Sequence, residues 1–121
     1  MTRKEALADL IAKVGSGEIA RSDLDEFIPV FGLTTDGNNA LDAYRGSLDA
    51  AKALHEAVLP DGEGWEVYRT GKYPGMIPGS SPYKFAARVG YGTTYNGDSD
   101  NAARAWLLAI LRALHSMEPD A

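Results

Sequence analysis

Asn101-Ala-Ala-Arg-Ala-Trp-Leu-Leu-Ala-Ile-Leu-Arg-Ala-Leu-His115 is the run around which the rest of the chain has to be arranged. Asn101, Arg104, Leu108, Arg112 and His115 are spaced by three and four, so on a helix they share one face. Every other position is Ala, Trp, Leu or Ile. A helix apolar around most of its circumference must be covered on most of its surface, so the run reads as the core helix. Asp98, Ser99 and Asp100 offer capping oxygens and negative charge upstream of it, and Glu118-Pro119 stops it. At about 1.5 Å per residue it is roughly 22 Å long, enough to cross a small domain. With two arginines it is too short and too polar to span a bilayer.

Upstream, Thr2-Arg-Lys-Glu5 has capping-box spacing, and Leu7, Leu10, Ile11 and Val14 continue it as an amphipathic helix that Gly15 and Gly17 end. Ser22-Asp-Leu-Asp25 starts a second, shorter helix through Phe27 and Ile28, expected to end near Pro29. Residues 32–46 read as a connecting loop, with at most a turn of helix around Ala40–Tyr44. Ser47 caps a third helix whose apolar stripe is Leu48, Ala51, Leu54, Ala57 and Val58.

Trp65-Glu-Val-Tyr-Arg-Thr70 alternates as a strand, with Trp65 and Val67 facing the core. Tyr83 to Tyr91 repeats the pattern, with Phe85, Ala87 and Val89 on one face and Lys84 and Arg88 on the other. Tyr91-Gly-Thr-Thr-Tyr95 extends that strand or forms a third. The fold expected is therefore α+β: a small antiparallel sheet of two or three strands packed with about four helices as an α-β-α layered sandwich. A single domain spans 1–121, with an N-terminal helical pair (1–31), the loop (32–46) and an α-β-β-α core (47–116).

Composition narrows the function classes. The chain has 121 residues, 45% hydrophobic and 24% charged, as in globular domains. It has no cysteine, which excludes disulfides and thiolate metal sites. A net charge of −5 disfavours nonspecific attraction to nucleic acid or an anionic membrane. No signal peptide or membrane segment is expected, and the cytoplasm is the expected location (the host cytoplasm for a phage product).

Few residues suggest chemistry. His55 and His115 each stand near a helix end, where histidine suits the negative end of the dipole. Ser47, Ser116, Asp49 and Asp100 can be nominated as their partners, but no spacing selects a set, so no catalytic residues are assigned. His55-Glu56 is not a zinc-helix motif, and Asn96-Gly97-Asp98-Ser-Asp100 lacks the ligand ladder of a calcium loop, so it reads as turn plus helix cap. Gly90-Tyr-Gly92 is an incomplete phosphate-binding signature. Neither a metal nor a cofactor is expected.

Two surfaces are candidates for binding. Tyr73, Pro74, Met76 and Ile77 form an apolar set that either folds back to seal the core or anchors a protein partner. Lys84, Arg88, Arg104 and Arg112, interleaved with Tyr68, Tyr91 and Tyr95, are the alternative, a basic face for nucleic acid in an arrangement like the double-stranded-RNA-binding domain. Asp98 and Asp100 at the start of the last helix would repel a phosphate there.

Tyr44-Arg-Gly-Ser-Leu-Asp-Ala-Ala-Lys-Ala-Leu54, followed by Val58-Leu-Pro60 and Trp65-Glu-Val67, resembles the core of the phage ABA sandwich domain family. Ala102–Leu114 and Ser22-Asp-Leu-Asp-Glu-Phe-Ile28 are similar to that family's closing and second helices. The resemblance implies a small phage or prophage protein with helices on both faces of a sheet and no assigned activity, and it carries over no functional residue. The expected function is thus a non-enzymatic accessory protein acting through protein contacts or self-association.

Overall fold

The computed structural model describes residues 2–17, 19, 24–59, 64–69, 85–90 and 93–118. Helix α1 (Arg3–Ser16) begins at Thr2, whose side chain accepts from the Glu5 N–H. It ends at Gly17, whose φ of 74° allows its N–H to close on the Lys13 and Val14 carbonyls. A single 3-10 turn, Leu24–Glu26, leads into the short α2 (Ile28–Phe31). Pro29 sits in the first turn of α2. The proline expected to end a helix therefore begins one, because its missing N–H is no loss at that position.

The stretch read as a loop contains a ten-residue helix, α3 (Thr35–Tyr44). Its polar start, Thr34-Thr-Asp-Gly-Asn-Asn39, is loop-like in composition, yet Thr34 caps it by accepting from the Gly37 N–H. Burial of Ala40, Leu41, Ala43 and Tyr44 on one side then holds it. Gly37 serves close packing and not a turn: a Cβ there would stand 2.9 Å from the Gly32 carbonyl oxygen. Tertiary contact outweighed weak propensity.

Helix α4 (Leu48–Val58) starts at Ser47 as expected, the side chain accepting from the Ala50 N–H. Its buried stripe is Ala50, Ala51, Leu54 and His55, one step round from the expected one, which leaves Leu48 and Ala57 exposed. Strands β1 (Trp65–Arg69), β2 (Phe85–Val89) and β3 (Tyr95–Ser99) form an antiparallel meander in the order β1-β2-β3. The register places Val67 against Ala87 and Ala87 against Gly97. Asn96-Gly-Asp98, expected as a turn, is thus the middle of an edge strand.

Helix α5 (Ala102–Met117) follows, capped by the Asn101 side chain on the Arg104 N–H, where the sequence suggested Asp98 to Asp100. Leu107, Leu108, Ile110 and Leu111 are fully buried. Each such side chain is worth about 1.5–3 kcal/mol relative to exposure. Trp106, 3% exposed, is buried too.

The α+β class and the antiparallel sheet are as the sequence indicates, with α3 as the additional helix. Along the chain the order is helix, sheet, helix; in space the layers run sheet, α5, then α1, α3 and α4. The helix, not the sheet, is the middle layer. It lies along β3 and β2 and touches β1 least. Helix α1 runs antiparallel to it: Arg3 pairs with Glu118 at one end, while Gly17 lies beside Arg104 at the other.

Candidate functional site

Trp106 links three elements. Its Nε1–H donates to Nδ1 of His55 on α4 at 3.3 Å, and its ring stacks on Trp65 of β1 with centroids 4.3 Å apart and planes 28° from parallel. His55 is 4% exposed, Trp65 47%. The column therefore runs from the interior outward, from histidine through one indole to a second that half faces solvent. Accepting from a buried indole turns the His55 Nδ1 lone pair into the core.

Of the other groups nominated for catalysis, both serines bond helix backbone. Ser47 Oγ accepts from the Ala50 N–H, and Ser116 Oγ donates to the Ala113 carbonyl at 2.7 Å. The His115 carbonyl accepts from the Glu118 N–H at the end of α5. Among the described residues, no group of three His, Cys, Asp or Glu is placed to hold a metal ion. A cleft of about 160 Å³ lies between the ends of α4 and α5 and the start of β3. Among the described residues, Leu59, Val89, Ala113 and Met117 line it together with Thr93, Tyr95 and Ser116, a mixed apolar and hydroxyl lining in which no carboxylate or imidazole takes part.

Each of the three described arginines of the basic set is engaged within the fold. Arg88 lies on the sheet face turned away from α5 and donates to the Glu66 carboxylate at 2.8 Å, which holds its pKa above the usual arginine value. Arg104 turns the other way: Nε and Nη2 both donate to the Tyr44 carbonyl, at 3.1 and 3.0 Å, and the guanidinium lies 3.9 Å over the Tyr44 ring. It closes the C-terminal end of α3. Arg112 donates to the Asn96 carbonyl on β3. Lys84 lies outside the described residues, as do Tyr73, Pro74, Met76 and Ile77.

Apolar surface is instead exposed on β1, where Trp65 and Tyr68 (42% exposed) stand on opposite faces of one five-residue strand. Alternation along the strand predicts Trp65 in the core. The overhang is not legible there because α5 is centred on β3, and no pattern within Trp65–Arg69 encodes where a helix distant in sequence will lie. Charged residues in a run otherwise aromatic and apolar, Glu66 and Arg69, were the available sign that this strand borders solvent.

In comparisons with known proteins, no family model matches the chain, and no curated protein and no solved structure matches it. No helix of the described residues is long and apolar enough to cross a membrane.

Proposed function

We propose that this chain is a non-enzymatic accessory protein, of phage or prophage origin, that works through contacts with other proteins. The observation that carries this reading is the half-exposed Trp65, backed by the buried Trp106, with the exposed Tyr68 on the opposite face of the same strand. A rigid aromatic with one face fixed and the other open offers contact area at little entropic cost, the property that makes tryptophan and tyrosine frequent anchors of interfaces. The phage origin rests on the resemblance carried by Tyr44–Leu54 and Trp65–Val67. Nucleic acid is the weaker reading, since Arg88, Arg104 and Arg112 each have a partner within the fold.

The test is a photo-crosslinking amino acid placed at position 65 or 68 of the full chain in cells with an induced prophage. A discrete protein adduct at these positions, absent when the probe replaces Lys52 on α4, is the expected result. A companion variant, Met76→Ser with Ile77→Ser, separates the two readings of that loop: lost adduct with unchanged melting supports a partner anchor, lowered melting supports a core seal. Adducts at no position, or to nucleic acid only, would overturn the proposal.

A further inference from the structure

The edge of the sheet at β1 has a specific pairing pattern. Beyond the strand end, the Gly90 N–H donates to the Gly64 carbonyl at 2.9 Å, in the same register that sets Trp65 opposite Val89. Hydrogen-bonded and non-hydrogen-bonded pairs alternate along an antiparallel ladder. Gly64, Glu66 and Tyr68 therefore turn their backbone groups to β2, and Trp65, Val67 and Arg69 turn theirs to the other side. There, no described strand pairs with them. The strand contains neither a proline nor a bulge, two devices that commonly protect such an edge; the one it does carry is charge, at Glu66 and Arg69.

The same five residues are complementary to themselves. We propose that β1 pairs antiparallel with β1 of a second copy of this chain, about a two-fold axis through Val67. This rests on the protein-contact reading above and names its partner. In that register Val67 meets Val67 of the second copy, and Trp65 and Arg69 face each other across the strands. All three outward-facing residues of each strand fall in hydrogen-bonded pairs, giving about six backbone bonds.

The side chains agree with this register. Trp65, Val67 and Arg69 share the face toward α5, so Arg69 of one copy comes beside the half-exposed Trp65 of the other, a cation against an aromatic face. On the outer face Glu66 meets Tyr68 of the second copy. Shifting the pairing by two residues would set Glu66 directly against Glu66, like charges opposite each other, or would move the centre to Tyr68 and shorten the overlap. An antiparallel two-fold of this kind keeps both α5 helices on one side of a sheet continuous through both copies.

Sedimentation equilibrium of the full chain, from low to high micromolar concentration, tests this. A monomer–dimer equilibrium is expected. Val67→Pro removes an outward N–H and no bond within the sheet, so it should raise the dimer dissociation constant on the order of tenfold or more while the circular dichroism of the monomer is kept. Since the chain has no cysteine, Val67→Cys gives an independent readout: mild oxidation should link two copies, while Lys52→Cys should not. That readout decides if the proline variant fails to fold.

A chain that stays monomeric and unlinked, or a dimer indifferent to Val67→Pro, would overturn the pairing. A monomer that still forms the adduct to another protein sinks this inference and leaves the function proposed above. A β1-linked dimer without any foreign adduct does the reverse for a foreign partner.

Discussion

Gly97 on β3 and Ala105 on α5 are so close that a Cβ on the glycine would stand 2.2 Å from the Ala105 carbonyl oxygen and 2.7 Å from the Ala109 nitrogen. Helix backbone rests directly on strand backbone. The short side chains of Ala105 and Ala109 on one side and the absent one on the other make this possible, and it draws α5 over the centre of β3. Ala87 beside Gly97 continues the shallow trough, with Val67 bordering it on β1.

Gly97→Ala should therefore be among the most damaging single-methyl changes in the chain. The atoms it would meet are backbone and the Leu108 Cβ, none of which can swing aside, so the helix must lift as a unit. Overpacking of this kind costs on the order of 1–3 kcal/mol, and the upper end is expected here. Urea denaturation of the variant, compared at equal m-value, measures it; a change within error would mean that α5 sits farther from β3.

Trp106 should separate into packing and hydrogen-bond contributions. Trp106→Ala removes a buried indole and its stack on Trp65, and a loss of about 3–5 kcal/mol is expected. Trp106→Phe keeps an aromatic ring but withdraws the donor from buried His55, at a cost of about 1–3 kcal/mol. Equal losses in the two variants would show that the His55 bond, not the ring, carries the effect.

Arg104→Lys tests the closing of α3. Lysine keeps the charge but cannot offer two coplanar donors to the Tyr44 carbonyl while lying flat over its ring. A loss of about 1–2 kcal/mol is expected. Faster hydrogen exchange at the last amides of α3, with α1 and α4 unchanged, is the local signature.

Lys13 holds Glu26 at 2.7 Å and Asp9 at 3.2 Å, and chiefly the Glu26 bond raises its pKa above the usual lysine value of 10.5. A raised folded-state value means the tie is fully present below the unfolded pKa. It is lost as pH rises through the folded one, in the alkaline range above 10.5. NMR titration of the Lys13 side chain should show the elevation, and Glu26→Gln should reduce it. A midpoint unmoved by that change would assign the elevation to Asp9.

The helix starts at Thr2 and Ser47, the stop at Gly17 and the strands at Trp65 and Phe85 were legible because each depends on neighbours within a few residues. A hydroxyl three positions before an amide, or side chains alternating every second residue, can be read without knowing what lies across the domain. The Thr35–Tyr44 helix was not legible in this way. Its local composition argues for a loop, and only burial of Ala40 and Tyr44 against distant elements reverses the balance. Pro29 is ambiguous for a related reason, since a proline marks a helix boundary without saying on which side the helix lies.

The candidate sites divide along the same line. The sequence located Arg88, Arg104 and Arg112 as charges, but only packing turned each toward Glu66, Tyr44 or Asn96. Trp65 carried every mark of a core strand residue until the placement of α5 left β1 overhanging.

From its residues alone, this chain is committed to an apolar closing helix, a capped helix at Ser47 and antiparallel strands, because local geometry and the need to bury Trp106, Leu107 and Ile110 admit little else. Which layer that helix occupies, and which strand is left open at the edge, was settled in three dimensions. Gly97 permits a close approach that no other residue would, and the position of that contact, well away from β1, leaves β1 with no described strand on its outer side.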